Sequence, residues 1–211
     1  MFIVFEGADG AGKSTQVKLL TEGLTERGID TIAVREPGGT PAGEAVREIM
    51  FGREPPLPMR PLTWAFLMNA ARAELVAEVV APALRQGCVV IADRYWYSTM
   101  AYQGAGDGVD ADVIRRLSRI ATTGLEPDLV ILFDVPAAEA MERKRSGSRD
   151  VLDRRPLDYH ERVVQAYRGL AARDPDRWHV LDGLEPPEAL AQAVLEEVLI
   201  AIDAQTARAY S

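Results

Sequence analysis

Disulfide chemistry is the first thing this sequence excludes. Of its 211 residues one is a cysteine, Cys88, so no intramolecular bridge can form and a reducing compartment is expected. Cys88 opens the apolar run Cys88-Val89-Val90-Ile91-Ala92, which reads as a buried strand and not as a reactive thiol. Histidine is equally scarce. His160 and His179 lie far apart in the sequence and have no cysteine partners, which argues against a histidine-based metal site. No apolar stretch approaches the length of a membrane span. Positive charge is in deficit, with 24 basic against 32 acidic residues and a net charge of −8. A chain of that balance with no basic tail is not expected to have nucleic acid as its main partner. It can still bind small anions, because a phosphate site is built locally. There is no internal repeat and no low-complexity segment. The first residues run directly into a glycine-rich loop, leaving no room for a signal peptide, so a cytoplasmic protein is expected. What remains, 47% hydrophobic and 27% charged residues, suits one soluble α/β domain with a sizeable core.

The most informative stretch lies in the first fourteen residues. Phe2-Ile3-Val4-Phe5-Glu6 is a short apolar run, and Gly7-Ala8-Asp9-Gly10-Ala11-Gly12-Lys13-Ser14 follows at once. The octet fits G-x-x-x-x-G-K-[ST], placed between a strand and a helix as that phosphate-binding loop requires. Glycines let successive N–H groups turn inward on phosphate oxygens. The helix that follows adds its positive end. Lys13 can reach the β- and γ-phosphates of a nucleotide, and the Ser14 hydroxyl can ligate Mg²⁺.

Beyond the loop, apolar residues at Val17, Leu19, Leu20 and Leu24 predict a helix over 15–27, ended by Gly28. Residues 31–34 read as a second strand leading into the polar turn Arg35-Glu36-Pro37-Gly38-Gly39-Thr40. That position, at the carboxyl end of a strand, is where open α/β sheets bind ligands. Composition alone equally allows a plain turn there. A helix over 41–51, a proline-rich connector over 53–61 and a long helix over 62–85 follow, with a kink or break expected near Pro82. The third strand, 88–92, delivers Asp93-Arg94-Tyr95, an apolar strand with a carboxylate at its end, like the Walker B arrangement that orients Mg²⁺. Trp96-Tyr97-Ser98-Thr99-Met100-Ala101-Tyr102-Gln103 supplies hydroxyl and amide groups, and 104–108 is expected to be a flexible loop. A helix over 110–122, a fourth strand over 129–134, and helices from about 136, over 157–173 and over 187–204 complete the pattern, with a fifth strand over 178–182. The segment from Arg143 to Asp150 carries four cations and a glycine, which reads as a mobile basic loop. Five apolar strands alternating with helices give a three-layer, doubly wound α/β fold with a parallel sheet.

Two further absences narrow the chemistry. A hydrolytic switch would be expected to show a purine-specificity element such as N-K-x-D, and none is present; an ATP-driven motor is usually larger. A compact chain with a phosphate loop, an acceptor-like group of side chains and a basic lid points to a small-molecule kinase.

The blocks Phe5-Glu6-Gly7-Ala8-Asp9-Gly10-Ala11-Gly12-Lys13-Ser14-Thr15, Arg35-Glu36-Pro37-Gly38-Gly39-Thr40 and Asp93-Arg94-Tyr95-Trp96-Tyr97-Ser98-Thr99-Met100-Ala101-Tyr102-Gln103 closely resemble bacterial thymidylate kinases. The likeness runs from the first strand to the last helix, and the third block is the specific one. It implies the P-loop nucleoside triphosphate hydrolase fold as a single domain over 1–211, with a lid at about 143–155. It also implies phosphorylation of dTMP to dTDP with ATP and Mg²⁺, and a homodimer. Carried over by position, Gly7 to Thr15 bind ATP, and Asp9 binds the deoxyribose 3′-hydroxyl or helps Ser14 and Asp93 hold the metal. Arg35 and Arg94 hold the dTMP phosphate, beside Glu36 and Pro37. Arg72 meets a thymine carbonyl, while Ser98, Thr99, Tyr102 and Gln103 frame base and sugar. Catalysis falls to Lys13, Asp9 and Arg94 with a lid arginine, because the phosphate loop carries no cation besides Lys13; Arg143, Arg145 and Arg149 are the candidates. One departure stands out. The family usually has a phenylalanine four residues before Arg72, where this chain has Met68, so either Met68 or nearby Phe66 packs on the base. That departure leaves open a kinase for another pyrimidine deoxynucleotide, such as dUMP or a 5-modified analogue. A catalytically silent nucleotide-binding regulator is the alternative from a different class.

Overall fold

The computed structural model describes residues 1–52, 57–145 and 152–209. Its centre is a five-stranded, all-parallel sheet in the order β2-β3-β1-β4-β5, with β1 at Phe2–Glu6, β2 at Thr31–Arg35, β3 at Val89–Asp93, β4 at Leu129–Asp134 and β5 at Trp178–Asp182. The three central strands are apolar up to the acidic residue that ends each, Glu6, Asp93 and Asp134, because helices cover both faces. Alternation along β1 shows this directly. Phe2 and Val4 enter one core with Val90, Val130 and Tyr95, while Ile3 and Phe5 enter the other with Ile91, Ile131 and Leu20. Register brings Phe5 level with Asp93, and Asp93 level with Arg35. The carboxyl ends of β1, β2 and β3 therefore finish together, and the loops they feed share one edge.

The helices are α1 (Lys13–Thr25), α2 (Pro41–Phe51), α3 (Pro61–Leu75), α4 (Ala81–Arg85), α5 (Trp96–Thr99), α6 (Ala111–Ala121), α7 (Ala137–Arg145), α8 (Leu157–Arg173) and α9 (Pro187–Ala209). α2 starts where sequence chemistry tells it to: the Thr40 side chain accepts from the Gly43 N–H at 3.0 Å, and Pro41 occupies the first turn. The long helix expected over 62–85 is interrupted as Pro82 requires. A π-helical turn, Val76–Val80, separates α3 from α4, since proline can neither donate to nor fit beneath the carbonyl four residues back.

The expected flexible loop over 104–108 is corrected. A second π-helical segment, Met100–Gly106, carries the chain through Gly104 to Gly106. Its glycines serve packing more than mobility: a Cβ on Gly106 would lie 2.6 Å from the Tyr159 ring. The basic loop begins later than expected, because Arg143, Lys144 and Arg145 still belong to α7. Arg149 lies outside the described residues.

Candidate active site

A cavity of about 700 Å³ opens at the carboxyl edge of the sheet and is lined by the loop after β1, the turn after β2, one face of α2 and α3, and the segment after β3. The phosphate loop forms one end. Gly7, Gly10 and Gly12 all take positive φ, and a Cβ on Gly7 would come within 2.7 Å of the Phe133 carbonyl, so both conformation and space demand glycine. Gly12 caps α1. Lys13 Nζ donates to the carbonyls of Gly7 at 3.0 Å and Ala8 at 2.8 Å. Burial, together with the charge of Arg94, pushes this ammonium down to about 8. Ser14 Oγ donates to Asp93 Oδ2 at 2.6 Å, which joins the loop to the end of β3. A hydroxyl and a carboxylate in contact are hard oxygen donors of the kind Mg²⁺ takes. Among the described residues there is no cluster of three or more His, Cys, Asp or Glu that could hold a metal.

Arg94 is the junction between the two ends of the cavity. Its backbone adopts a left-handed φ of 76°, rare for a residue with a side chain. Nη2 donates to Asp9 Oδ1 at 2.7 Å and to the Tyr102 hydroxyl at 3.2 Å. Nη1 donates to Gly7 O at 3.1 Å, Ser98 Oγ at 2.8 Å and the Tyr167 hydroxyl at 2.9 Å. Asp9 also accepts from the Tyr102 hydroxyl at 3.0 Å. Burial alone would raise the pKa of Asp9, but the cations of Arg94, Lys13 and Lys144 outweigh it and hold the carboxyl well below the usual range. Asp9 thus stays an anion, seated on the guanidinium that a second anion would seek.

Behind this, Glu6 accepts from the Tyr95 N–H at 2.9 Å and from Ser98 Oγ at 2.7 Å. Its carboxyl is raised by burial, partly countered by Arg94. Arg72 forms a second closed unit. Nε and Nη2 grip Glu36 at 2.8 and 2.6 Å, Nη1 meets Asn69 Oδ1 at 3.0 Å, and Nη2 meets Thr99 Oγ1 at 3.2 Å. Glu36 is raised by burial despite Arg72. Arg35 donates to Pro37 O at 3.2 Å and pairs with Glu44 of α2 at 3.0 Å.

The sequence-predicted residues therefore divide. Asp9, Lys13, Ser14, Thr15, Arg35, Glu36, Pro37, Met68, Asp93, Arg94, Ser98, Tyr102, Gln103 and Arg143 share the cavity wall. Arg72 and Thr99 stand behind it, both fully buried. Phe66 is corrected: it is 54% exposed on the outer side of α3 and does not line the cavity, because Phe66 and Met68 are two residues apart and a helix turns them to different faces. Met68 keeps the wall position and joins Met50 and Trp64 in a small apolar cluster. Arg143 lines the cavity with the phosphate loop and donates from Nη1 to Gly183 O at 2.8 Å, which bridges α7 to the loop after β5.

Sequence reasoning missed Arg47, Met50, Phe51, Trp64 and Lys144 on the wall. Arg47 and Phe51 were within reach: one helical turn apart on α2, they stack with the guanidinium 5.6 Å from the ring. It also missed Tyr167, whose spacing on α8 reads as ordinary core.

Comparison with known proteins finds one family. The model of the thymidylate kinase family matches residues 5–194. A thymidylate kinase of Thermomicrobium roseum is 49% identical over 195 residues, covering 92% of this chain and 91% of the relative. One of Roseiflexus castenholzii is 44% identical over 228 residues, covering 100% and 99%. The crystal structure of thymidylate kinase from Ehrlichia chaffeensis superposes with a TM-score of 0.78 at 30% identity, covering 94% of this chain and 98% of that one.

Proposed function

The chain belongs to the thymidylate kinase family, a family of nucleoside monophosphate kinases, and from that premise we propose how its own residues move the γ-phosphoryl group of ATP to dTMP. The observation that carries the assignment of roles is that Lys13 and Arg94 line one cavity, one belonging to a phosphate loop and the other to the acceptor segment. ATP enters over Gly10 to Thr15, with Lys13 leaving the Gly7 and Ala8 carbonyls for the β- and γ-phosphates. Mg²⁺, held by Ser14 and Asp93, would neutralise charge across those phosphates. The dTMP phosphate takes the Arg94 guanidinium, with Arg35 and Arg47 along the same wall, a task suited to planar paired donors. Asp9, displaced from Nη2, turns to the sugar hydroxyl or to the metal side. Met68, Met50, Phe51 and Trp64 offer the apolar surface for the base, and Gln103 a polar partner. Arg143, whose Nη1 is tied to the Gly183 carbonyl after β5, is less free to follow the transferring phosphate, so the lid cation falls to Arg145 or Arg149.

The test is a panel of nucleoside monophosphates with ATP, read as ADP release. dTMP should exceed dUMP, 5-modified dUMP, dCMP and the ribonucleotides by at least tenfold in kcat/KM. A panel won by dUMP or a 5-modified analogue would move the acceptor, and silence across the panel would favour the regulatory reading.

We further propose a homodimer built on α3 and α6. Leu62 and Phe66 lie one turn apart on α3, Val113 and Ile120 lie on α6, and all four are exposed, an apolar surface of the kind a partner covers. A cytoplasmic setting accords with a single free cysteine; no described helix is long and apolar enough to cross a membrane.

A further inference from the structure

Tyr167 belongs to none of the blocks that carry the resemblance. It comes from α8, the helix that follows the lid, and is 1% exposed. Its ring packs edge-on against Tyr102, centroids 6.4 Å apart. Its hydroxyl lies 2.9 Å from Arg94 Nη1 and 2.8 Å from Ser98 Oγ.

The hydrogens of this group can be assigned by elimination. Glu6 faces two donors, the Tyr95 N–H and the Ser98 O–H, and accepts both. That spends the one hydrogen of Ser98. Between Ser98 and Tyr167 the tyrosine must therefore donate. Arg94 Nη1, which can only donate, has two hydrogens for three acceptors, the oxygens of Tyr167, Ser98 and Gly7, so one hydrogen is shared. The Tyr167 hydroxyl is thus committed twice, accepting from the guanidinium and donating into a path that ends on a carboxylate. Burial raises the phenol well above its ordinary pKa, so it keeps its proton.

The two ends of the guanidinium differ in consequence. Nη2 is held by Asp9 and Tyr102, contacts that an incoming phosphate must disturb. Nη1 is held by Gly7, Ser98 and Tyr167, and the last two are buried. A side chain launched from a left-handed backbone depends on such contacts for its aim.

We propose that Tyr167 is a positioning residue for acceptor-phosphate recognition, its hydroxyl fixing the plane of the Arg94 guanidinium through Nη1 so that Nη2 meets the phosphate. This rests on Arg94 being the phosphate's partner. The removal of one hydrogen bond to a charged group predicts about a tenfold loss of affinity, and that loss is confined to ligands carrying the phosphate.

The experiment compares Tyr167→Phe with the wild-type chain by calorimetric binding of dTMP and of thymidine, with KM for ATP measured alongside. Phenylalanine keeps the ring packing on Tyr102 and removes only the hydroxyl. The expected result is dTMP weakened about tenfold, with thymidine and KM for ATP unchanged. Equal weakening of dTMP and thymidine would make the hydroxyl a support of the whole pocket and overturn the proposal, as would no change in either. A wild-type chain that binds dTMP no tighter than thymidine would overturn it at its premise. A wild-type chain that shows the binding difference but does not phosphorylate dTMP would sink the kinase mechanism and leave the role of Tyr167 standing.

Discussion

Arg72 and Arg94 are each held by a carboxylate beside the same cavity, yet the two pairs are built for different ends. Arg72 and Glu36 have side chains 0% and 1% exposed, while Arg94 and Asp9 have 13% and 22%. In the first pair burial prevails and Glu36 is raised. In the second the surrounding cations prevail and Asp9 is lowered. A carboxylate that pays its desolvation inside a closed unit is part of the frame. One kept ionised by cations that also face a cavity can be exchanged for a ligand's anion. Arg72 ties α3 to the turn after β2 and to Thr99 of α5, which is what a frame must do; Arg94 has its donors at the cavity wall.

Replacing each arginine by methionine is the strongest way to break that contrast. Arg94→Met should lower kcat/KM for dTMP by about 100-fold or more, the scale set by losing a charge-directed donor in a closed site. Arg72→Met should instead cost about 3–5 kcal/mol of stability, because Glu36 is left buried without its partner, and the folded enzyme should retain most of its turnover. The deficit should depend on pH in one direction. Glu36 already has a folded pKa raised above its unfolded value, and losing Arg72 raises it further. A carboxyl in that state contributes stability below the unfolded value, about 4.3, and loses it as pH rises through the folded pKa. Denaturant titrations should therefore find Arg72→Met closer to wild type near pH 5 than near pH 8. If Arg72→Met instead keeps its stability and loses dTMP turnover, the sealed pair is a base contact after all, as the family resemblance implies. Only the second hydrogen of Nη1 would then be left to serve it.

The same contrast explains how much could be read from sequence. The phosphate loop was legible because its constraint is local: the positive φ of Gly7, Gly10 and Gly12 and the close approach of Phe133 need glycine at fixed spacing. The three central strands were legible because a sheet covered on both faces writes itself as apolar runs, and the edge strands β2 and β5 as shorter, partly exposed ones. The identities of Asp93, Arg94, Ser98, Tyr102 and Gln103 came through for a related reason, since one contiguous segment after β3 supplies them all. Glu6 and Tyr167 were not legible as a pair. They are brought together by Ser98 across long sequence separations, and nothing in either local sequence announces the meeting. The π-helical segment at Met100–Gly106 failed for a different reason. Three glycines within five residues read as a loop, whereas here the glycines at 104 and 106 make room for neighbouring side chains, Ile114 and Tyr159.

A smaller effect sharpens the picture on α3, where Met68, Arg72 and Phe66 occupy three different environments within two turns. Arg72 lies behind the wall, Met68 lies on it, and Phe66 faces outward. Met68→Ala removes apolar surface from the base side of the cavity and should raise KM for dTMP about fivefold, the equivalent of roughly 1 kcal/mol of lost contact, with KM for ATP unchanged. Phe66→Glu should leave both KM values within twofold and shift the chain from dimer to monomer in light scattering, since a charge on that apolar strip opposes burial against a second copy. The reverse pattern, with Phe66→Glu weakening dTMP and Met68→Ala silent, would mean that α3 rotates in the working enzyme and that the base takes the phenylalanine. Loss of dTMP binding in both would mean that the dimer itself shapes the acceptor wall. In that case the open pair at Arg94 and Asp9 would have to be understood as part of a site built across two chains.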